Sequence, residues 1–255
     1  MPIWARELLL VAAVGTLAAF IHSLIHRRVS PASLIKHNDV AGFVFSVVGV
    51  IYAVVLGFVV VIVWEKFDAA NDHVQVEAAA ASDLYRTVGG LGPGIGDRVR
   101  AQLQAYAHHE IDVEWPLMAS NQLPHAGLGT GLEQIVSEIV RYQPKTPGQI
   151  DAQQIALRDA ERLLDARRQR ISDTSPSVPE LLWFALIGGA VATLGFSYLF
   201  GVENRRAQLI MTAILAGIIA ILFVVIHEFD SPFSGTVGVS DIAWKDFLAR
   251  IPFMK

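Results

Sequence analysis

The sequence predicts an all-α integral membrane protein with four transmembrane helices and a helical extramembrane domain between the second and the third. Three observations support this prediction: 53% of the 255 residues are hydrophobic, four long runs carry no charged side chain, and charges concentrate between the second and third runs. A soluble core does not need so much apolar side chain. The chain therefore belongs in a lipid bilayer.

The four uncharged runs predict the membrane spans. They cover residues 8–25, 40–64, 181–202 and 207–226. Each is long enough to cross about 30 Å of hydrocarbon as a helix. A charge at a helix centre costs about 2.5 to 3.5 kcal/mol on insertion, so four runs without one favour transmembrane helices.

The first run also has features of a secretory signal, because Arg6 precedes it and Ala18 and Ala19 resemble a cleavage site. The run is long for a signal core, and the basic pair Arg27 and Arg28 behind it is typical of the flank of a retained anchor. We expect a retained first helix.

Residues 66–177 hold 15 acidic and 11 basic side chains, which is typical of a water-exposed domain. Helical periodicity recurs in residues 97–115, 128–142 and 146–171, where Thr146 suits a helix cap. The predicted organisation is 1–65 for transmembrane helices 1 and 2, 66–177 for the helical domain, 178–230 for transmembrane helices 3 and 4, and 231–255 for a C-terminal tail.

The second span has no stop signal at its end. The stretch FVVVIVWEKFDAANDH, residues 58–73, passes from apolar to charged residues without Gly or Pro. One helix should therefore run from Asp39 to about Thr87. The glycine-rich stretch 89–96 would end it; this stretch lacks the preceding strand and the Lys-Ser/Thr pair of a phosphate-binding loop.

Small and aromatic side chains follow one face of this helix and predict a packing seam. Small residues let transmembrane helices approach closely, and a spacing near 3.5 residues suits coiled-coil-like contact. The seam runs through Gly49, Ala53, Gly57, Val60, Trp64, Phe67, Asn71, Val74, Ala78, Ala81 and Tyr85. The opposite face reads Val44, Val48, Ile51, Val55, Phe58 and Ile62. It would either line a pore as a hydrophobic constriction or face lipid.

Several stretches resemble a bestrophin-like family of bacterial multi-pass membrane proteins of unknown function. They are YAVVLGFVVVIVWEKFDAA, VEAAAASDLYR, HHEIDVEWPLM, ARRQRIS, VPELLWFALIGGAVATLGFSYLFGVEN and EFDSPFSG, in this order. The resemblance implies a homo-oligomer, a pore lined by the second span, and a distant relation to the bestrophins, which are pentameric ion channels. It supplies no catalytic residue.

Two bestrophin features have no clear counterpart in the sequence. Phe43, Phe45 and Phe58 are candidates for the aromatic neck of the second span. The short tail offers only Asp230, Asp241 and Asp246 for a calcium clasp, so we expect no calcium site.

Two polar groups in the helical domain have ordinary interpretations. Glu110 and Glu114 share a helical face, but neither His108 nor His109 shares it well, so a polar face is favoured over a metal site. We expect no metal and no cofactor. Arg167, Arg168 and Arg170 precede the third span and predict a solvated or lipid-contacting face, with a gating role as the alternative.

Orientation is ambiguous, because basic residues occur on both sides. Arg27, Arg28, Lys36, Arg205 and Arg206 lie in the short loops and by the positive-inside rule would be cytoplasmic. The basic residues near the helical domain and the family resemblance favour the opposite orientation. We expect a multi-pass protein of the bacterial inner membrane with its helical domain in the cytosol.

Three function classes fit these observations: an oligomeric ion channel, a non-conducting sensor or assembly protein that uses the helical domain as a docking surface, and a membrane enzyme. No nucleophile–base pair or metal constellation supports the enzyme, and no basic patch indicates nucleic acid. We expect the lipid bilayer, inorganic ions and copies of the same chain as partners.

Acidic residues at three helix ends favour cations over anions. The ends that should share one side of the membrane carry Glu65, Asp68, Glu180, Glu228 and Asp230. Ordinary interfacial solvation or pairing with basic neighbours is one interpretation. The other is an acidic mouth that attracts cations to a pore.

Overall fold

The computed structural model describes residues 3–28, 34–35, 38–124, 130–202 and 204–254, and this part of the chain contains helices and turns without a strand. Four helices are long and apolar enough to cross a membrane, at Ala5–Ile25, Asn38–Leu91, Glu180–Ser197 and Arg205–Asp230. The predicted all-α membrane protein with four transmembrane helices is confirmed. Lys36, one of the short-loop cations, lies outside the described residues.

Nine α-helices occur in the described residues. They are α1 (Ile3–Ile25), α2 (Asn38–Thr87), α3 (Ile95–His109), α4 (Trp115–Ala119), α5 (Thr130–Arg141), α6 (Pro147–Asp173), α7 (Glu180–Ser197), α8 (Arg205–Asp230) and α9 (Ile242–Arg250). Short 3-10 helices follow α2 at Val88–Leu91 and α9 at Ile251–Phe253, and a π-helical turn at Glu110–Glu114 joins α3 to α4.

The chain divides into two compact units, of which the first comprises Met1–Trp64 and Ser177–Asp230. Within it α1 packs along α8, and the contact is close enough that a Cβ added to Gly15 would lie 3.0 Å from the backbone oxygen of Ala213. The Tyr52 hydroxyl donates to the Leu186 carbonyl over 3.0 Å. Small residues and satisfied polar groups therefore join the helices of this unit.

The second unit comprises Glu65–Pro176 and Ser231–Lys255. Thr146 caps α6 by accepting from the Gln149 amide, as its sequence position predicts. The C-terminal segment packs into this unit: Trp244 on α9 is fully buried, and its ring lies 5.4 Å from that of Tyr106 in an edge-to-face arrangement. The C-terminal segment therefore contributes side chains to the folded core of this unit.

Helix α2 is one continuous helix of 50 residues, in agreement with the absence of Gly and Pro where the apolar run ends. At about 1.5 Å per residue it measures roughly 75 Å. It ends at the glycine-rich stretch, where Gly92 and Gly94 have φ angles of 93° and 96°. Only glycine adopts this left-handed region without strain, so the stretch terminates the helix.

Candidate pore helix and buried ionic cluster

One strip of α2 is buried within the first unit. Its members are Tyr52, Leu56, Val59 and Val63, with exposed fractions from 6% down to 0%. They recur every three or four residues and pack with Leu186 and other buried residues of α7 and α8. The strip fixes which side of α2 faces its own chain.

The six predicted pore-lining residues lie to one side of this strip. Four are exposed, namely Val44, Ile51, Phe58 and Ile62, whereas Val48 is half-buried and Val55 packs against the core of the unit. At about 100° per residue, the six are centred roughly 90° around the helix from the buried strip. Within one chain they form a flank of α2.

The strip diametrically opposite the buried one is the most exposed part of α2. It contains Phe43, Val47, Val50, Val54 and Val61, which are 47% to 75% exposed. Phe58, at 67%, is the member of the predicted set that lies nearest this strip. Sequence reasoning missed the strip because the span is apolar all round, so periodicity carries no signal for which face its own chain covers.

The predicted packing seam behaves differently in its two halves. In the first unit Gly49 is half-buried and Ala53 and Gly57 are exposed, and a Cβ added to either glycine would meet nothing within 4 Å. Trp64 is 53% exposed and makes an edge contact with Phe229. In the second unit Phe67 packs against the core, and the later members Val74, Ala78, Ala81 and Tyr85 are buried.

The five acidic mouth candidates have unlike environments. Glu65 and Asp68 in the second unit are exposed, and in the first unit Glu180 is exposed and Glu228 half-buried. Asp230 is buried: one carboxylate oxygen accepts from the Ser177 amide at 2.7 Å, the Ser177 hydroxyl at 2.9 Å and the Val178 amide at 2.8 Å. Asp230 thus holds the turn before α7.

A buried ionic cluster lies inside the second unit. Glu77 of α2 and Glu110 and Glu114 of the π-helical turn surround Arg167 and Arg170 of α6, and every member is at most 9% exposed. Arg170 donates from Nε to Glu77 Oε2 at 2.6 Å and from Nη2 to Glu114 Oε2 at 2.9 Å. Three carboxylates therefore face two guanidinium groups in the buried interior of the unit.

Further contacts complete the cluster. Arg167 Nη2 donates to Glu114 Oε1 at 2.5 Å, and the Tyr106 hydroxyl donates to Glu77 Oε1 at 2.7 Å. Arg170 also forms an ion pair with Glu110. Neither Glu110 oxygen has a hydrogen-bond partner among the described residues, so Glu110 is the least satisfied carboxylate.

The excess of carboxylates separates their proton affinities. Burial raises the pKa of Glu110 well above its usual range, and the Glu77 and Glu114 carboxylates add to this effect against the opposing charge of Arg170. Burial acts in the same direction on Glu114, but Arg170 and Arg167 outweigh it and lower its pKa. Glu110 therefore holds a proton more readily than Glu114 does.

The arginines correct one prediction. Arg168 is solvated, with 73% of its side chain exposed, but Arg170 is fully buried and Arg167 is only 9% exposed, so both lie among acids and not on a solvated or lipid-contacting face. The signal was present as matching patterns of opposite charge, Glu110 and Glu114 four residues apart and Arg167 and Arg170 three apart. Among the described residues, no three His, Cys, Asp or Glu side chains are placed so that they could hold a metal ion.

Most of the chain matches one known protein family. The Bestrophin-like domain matches residues 10–243. The chain belongs to the Bestrophin-like family. The resemblance inferred from the sequence is thereby confirmed.

Solved structures share the fold of this Bestrophin-like chain. A bacterial Bestrophin homologue from Klebsiella pneumoniae, in two variants, is 13% identical with TM-scores of 0.67 and 0.65, covering 94% and 98% of this chain and 98% of each neighbour. The crystal structure of another membrane protein has a TM-score of 0.69 at 13% identity. The match covers 94% of this chain and 98% of that one. No curated protein matches the sequence. At such identities the likeness establishes the fold alone.

Proposed function

We propose that the protein is a subunit of an oligomeric ion channel in which α2 lines the pore. The observation that carries this proposal is the exposed strip of α2 opposite its buried strip. Because the buried strip packs against α7 and α8 of the same chain, the opposite strip faces away from them, toward the central axis of a ring of subunits. Membership of the Bestrophin-like family supports the same function. Bestrophins themselves are ion channels and not enzymes, which supports a channel over a membrane enzyme.

The pore surface follows from this geometry. The strip opposite the buried one, which includes Val47, Val54 and Val61, is the axial strip. Phe58 lies at its edge, and the other predicted residues, Ile51 and Ile62 among them, lie on its flank. A ring of such apolar side chains constricts a pore and gates it by excluding water. The exposed glycine and alanine half of the seam meets a neighbouring subunit, and the assembly is a homo-pentamer.

Glu65 and Asp68 give the conductance a preference for cations. They follow the apolar part of α2 directly and both are exposed. In a ring of subunits, like charges about 8 Å apart at an effective dielectric near 20 repel by about 2 kcal/mol, which favours bound cations. The protein is placed in the bacterial inner membrane, with the second unit in the cytosol.

Flux through liposomes tests the function. Purified protein is reconstituted, and sodium, potassium and chloride gradients are compared at several calcium concentrations, pH values and voltages. Reproducible flux supports the channel. No flux under any condition favours the alternative, a non-conducting sensor or assembly protein that docks partners on its helical domain.

Cysteine scanning tests the pore strip, because the sequence contains no Cys. Val54→Cys on the axial strip should let a charged thiol reagent block the flux, whereas the matched control Val48→Cys, half-buried on the flank, should not. Block at Val48→Cys alone would place the axis on the flank. Native mass spectrometry in mild detergent tests the oligomer, and a stable monomer would remove the channel.

A further inference from the structure

A groove runs along α8 between α1 and α7 in the first unit. Ala216, Ala220 and Phe223 of α8 form its floor, Leu10 of α1 lines one wall and Leu194 of α7 the other, and its volume is about 510 Å³. Ile219 and Val224 of α8 and Val14 of α1 also line it, so the lining between its ends is apolar. Inside a bilayer only hydrocarbon fills such an apolar space without unsatisfied polar groups.

The groove has the length of one acyl chain. Its lining on α8 extends from Ala216 to Glu228, which corresponds to roughly 18 Å at 1.5 Å per residue. One leaflet is about half of the 30 Å hydrocarbon thickness, or roughly 15 Å. A single lipid tail with its headgroup at the membrane surface therefore matches the groove.

One end of the groove carries charges of both signs. Arg6 and Glu7 of α1 and His227 and Glu228 of α8 line this end. The Arg6 Nε atom lies 3.5 Å from Glu7 Oε1, and 75% of the Arg6 side chain remains exposed. A guanidinium group suits a phosphate, and carboxylates suit an ammonium group.

Two aromatic rings support the assignment of this end to the membrane surface. Trp183, near the start of α7, lies 6.0 Å from Phe223 between ring centres, and both line the groove. Tryptophan is enriched at the headgroup level of bilayers. The charged end and the aromatic pair thus mark one headgroup position.

We propose that this groove binds one acyl chain of a phospholipid whose headgroup contains both a phosphate and an ammonium group. The guanidinium of Arg6 contacts the phosphate, and the Glu7 carboxylate contacts the ammonium. A headgroup with a phosphate but no ammonium would leave the Glu7 carboxylate beside an anion. The groove therefore discriminates phosphatidylethanolamine from phosphatidylglycerol.

Lipid retention tests the proposal on the intact oligomer. The protein is reconstituted in vesicles of equal parts phosphatidylethanolamine and phosphatidylglycerol, extracted in mild detergent, and its bound lipid counted by native mass spectrometry. Wild type should retain one phosphatidylethanolamine per chain. Ala220→Phe fills the groove from the floor and should lose the bound lipid. Leu10→Trp fills it from the α1 wall and should lose the lipid as well. Ile218→Phe, on a 53% exposed position of α8 outside the lining, is the matched control.

The headgroup is tested separately. Glu7→Gln should shift the retained lipid toward phosphatidylglycerol, since the carboxylate that binds the ammonium is gone. Equal retention by wild type and both groove-filling variants would overturn the site. Retention of phosphatidylglycerol by wild type would overturn the headgroup assignment. Absence of retained lipid in wild type would show that another chain covers the groove, which also overturns the proposal.

Discussion

Removal of the Arg170 guanidinium should be among the most damaging single substitutions in the second unit. Arg170 has no exposed surface, and it donates to Glu77 at 2.6 Å and Glu114 at 2.9 Å. Arg170→Met keeps the length of the side chain but leaves buried carboxylates without their main counter-charge. Breaking a buried pair in this way costs about 3 to 5 kcal/mol of unfolding free energy.

The matched control lies two residues away. Arg168 is 73% exposed in its side chain and pairs with Asp165 at 2.9 Å on the same helix. Arg168→Met should cost about 0 to 1 kcal/mol, because exposed pairs contribute little. Denaturant unfolding of the full chain in detergent, followed by tryptophan fluorescence, compares the two: Trp115 and Trp244 are buried in the same unit as the cluster.

A second substitution separates charge from packing. Adding Glu77→Gln to Arg170→Met removes one of the uncompensated carboxylates and should recover part of the lost stability. Equal losses for Arg168→Met and Arg170→Met would refute the electrostatic reasoning. A double variant no more stable than Arg170→Met would show that the loss is one of packing.

Three further predictions concern protonation, assembly and selectivity. The pKa of Glu110 is raised in the folded state. The contribution of its proton to the free energy of unfolding is therefore complete below the unfolded pKa near 4.5. As the pH rises from there, this contribution falls by up to about 1.4 kcal/mol per pH unit until the folded pKa is passed. Glu110→Gln should abolish this slope in denaturation measured from pH 5 upward, and an unchanged slope would contradict the assignment. Gly57→Leu should weaken the oligomer in native mass spectrometry by separating close helices. The control Gly188→Leu, at a similarly open glycine of α7, should not weaken it. Unchanged assembly of both variants would show that the seam meets only lipid. Asp68→Asn, alone or with Asp230→Asn, should lower cation over chloride selectivity in reversal-potential measurements. Asp230→Asn alone should lower stability, because one Asp230 oxygen accepts three hydrogen bonds. An unchanged selectivity in folded Asp68→Asn would contradict the acidic mouth.

Local signals in the sequence predicted the helices well. The uninterrupted stretch 58–73 predicted the continuity of α2, and Thr146 predicted the start of α6, because helix propagation and capping depend on residues a few positions apart. The sequence could not show which strip of α2 its own chain covers. Apart from the hydroxyl groups of Ser46 and Tyr52 the side chains of the span are almost uniformly apolar, so the choice depends on the shapes of α7 and α8.

The ionic cluster was beyond local reasoning for a related reason. Glu77 and Arg170 are 93 residues apart in the chain. Arg170 looks like a membrane-flanking cation until the fold places Glu77 beside it. Trp244 likewise packs on Tyr106 only because the C-terminal segment returns to the second unit. Such long-range pairs are properties of the topology and not of any window of sequence.

The two flanks of α2 have a consequence for the symmetry of the proposed assembly. One flank consists of small residues, Gly49, Ala53 and Gly57, and the other of bulky ones such as Val44, Ile51 and Ile62. When the small flank of one subunit receives the bulky flank of the next, the two surfaces in contact are different. Such a heterologous interface cannot be satisfied by a two-fold dimer, and each added subunit exposes the same pair of flanks again. Growth then stops only when the rotation between subunits closes a ring, so the tilt of one helix against its neighbour sets the number of subunits.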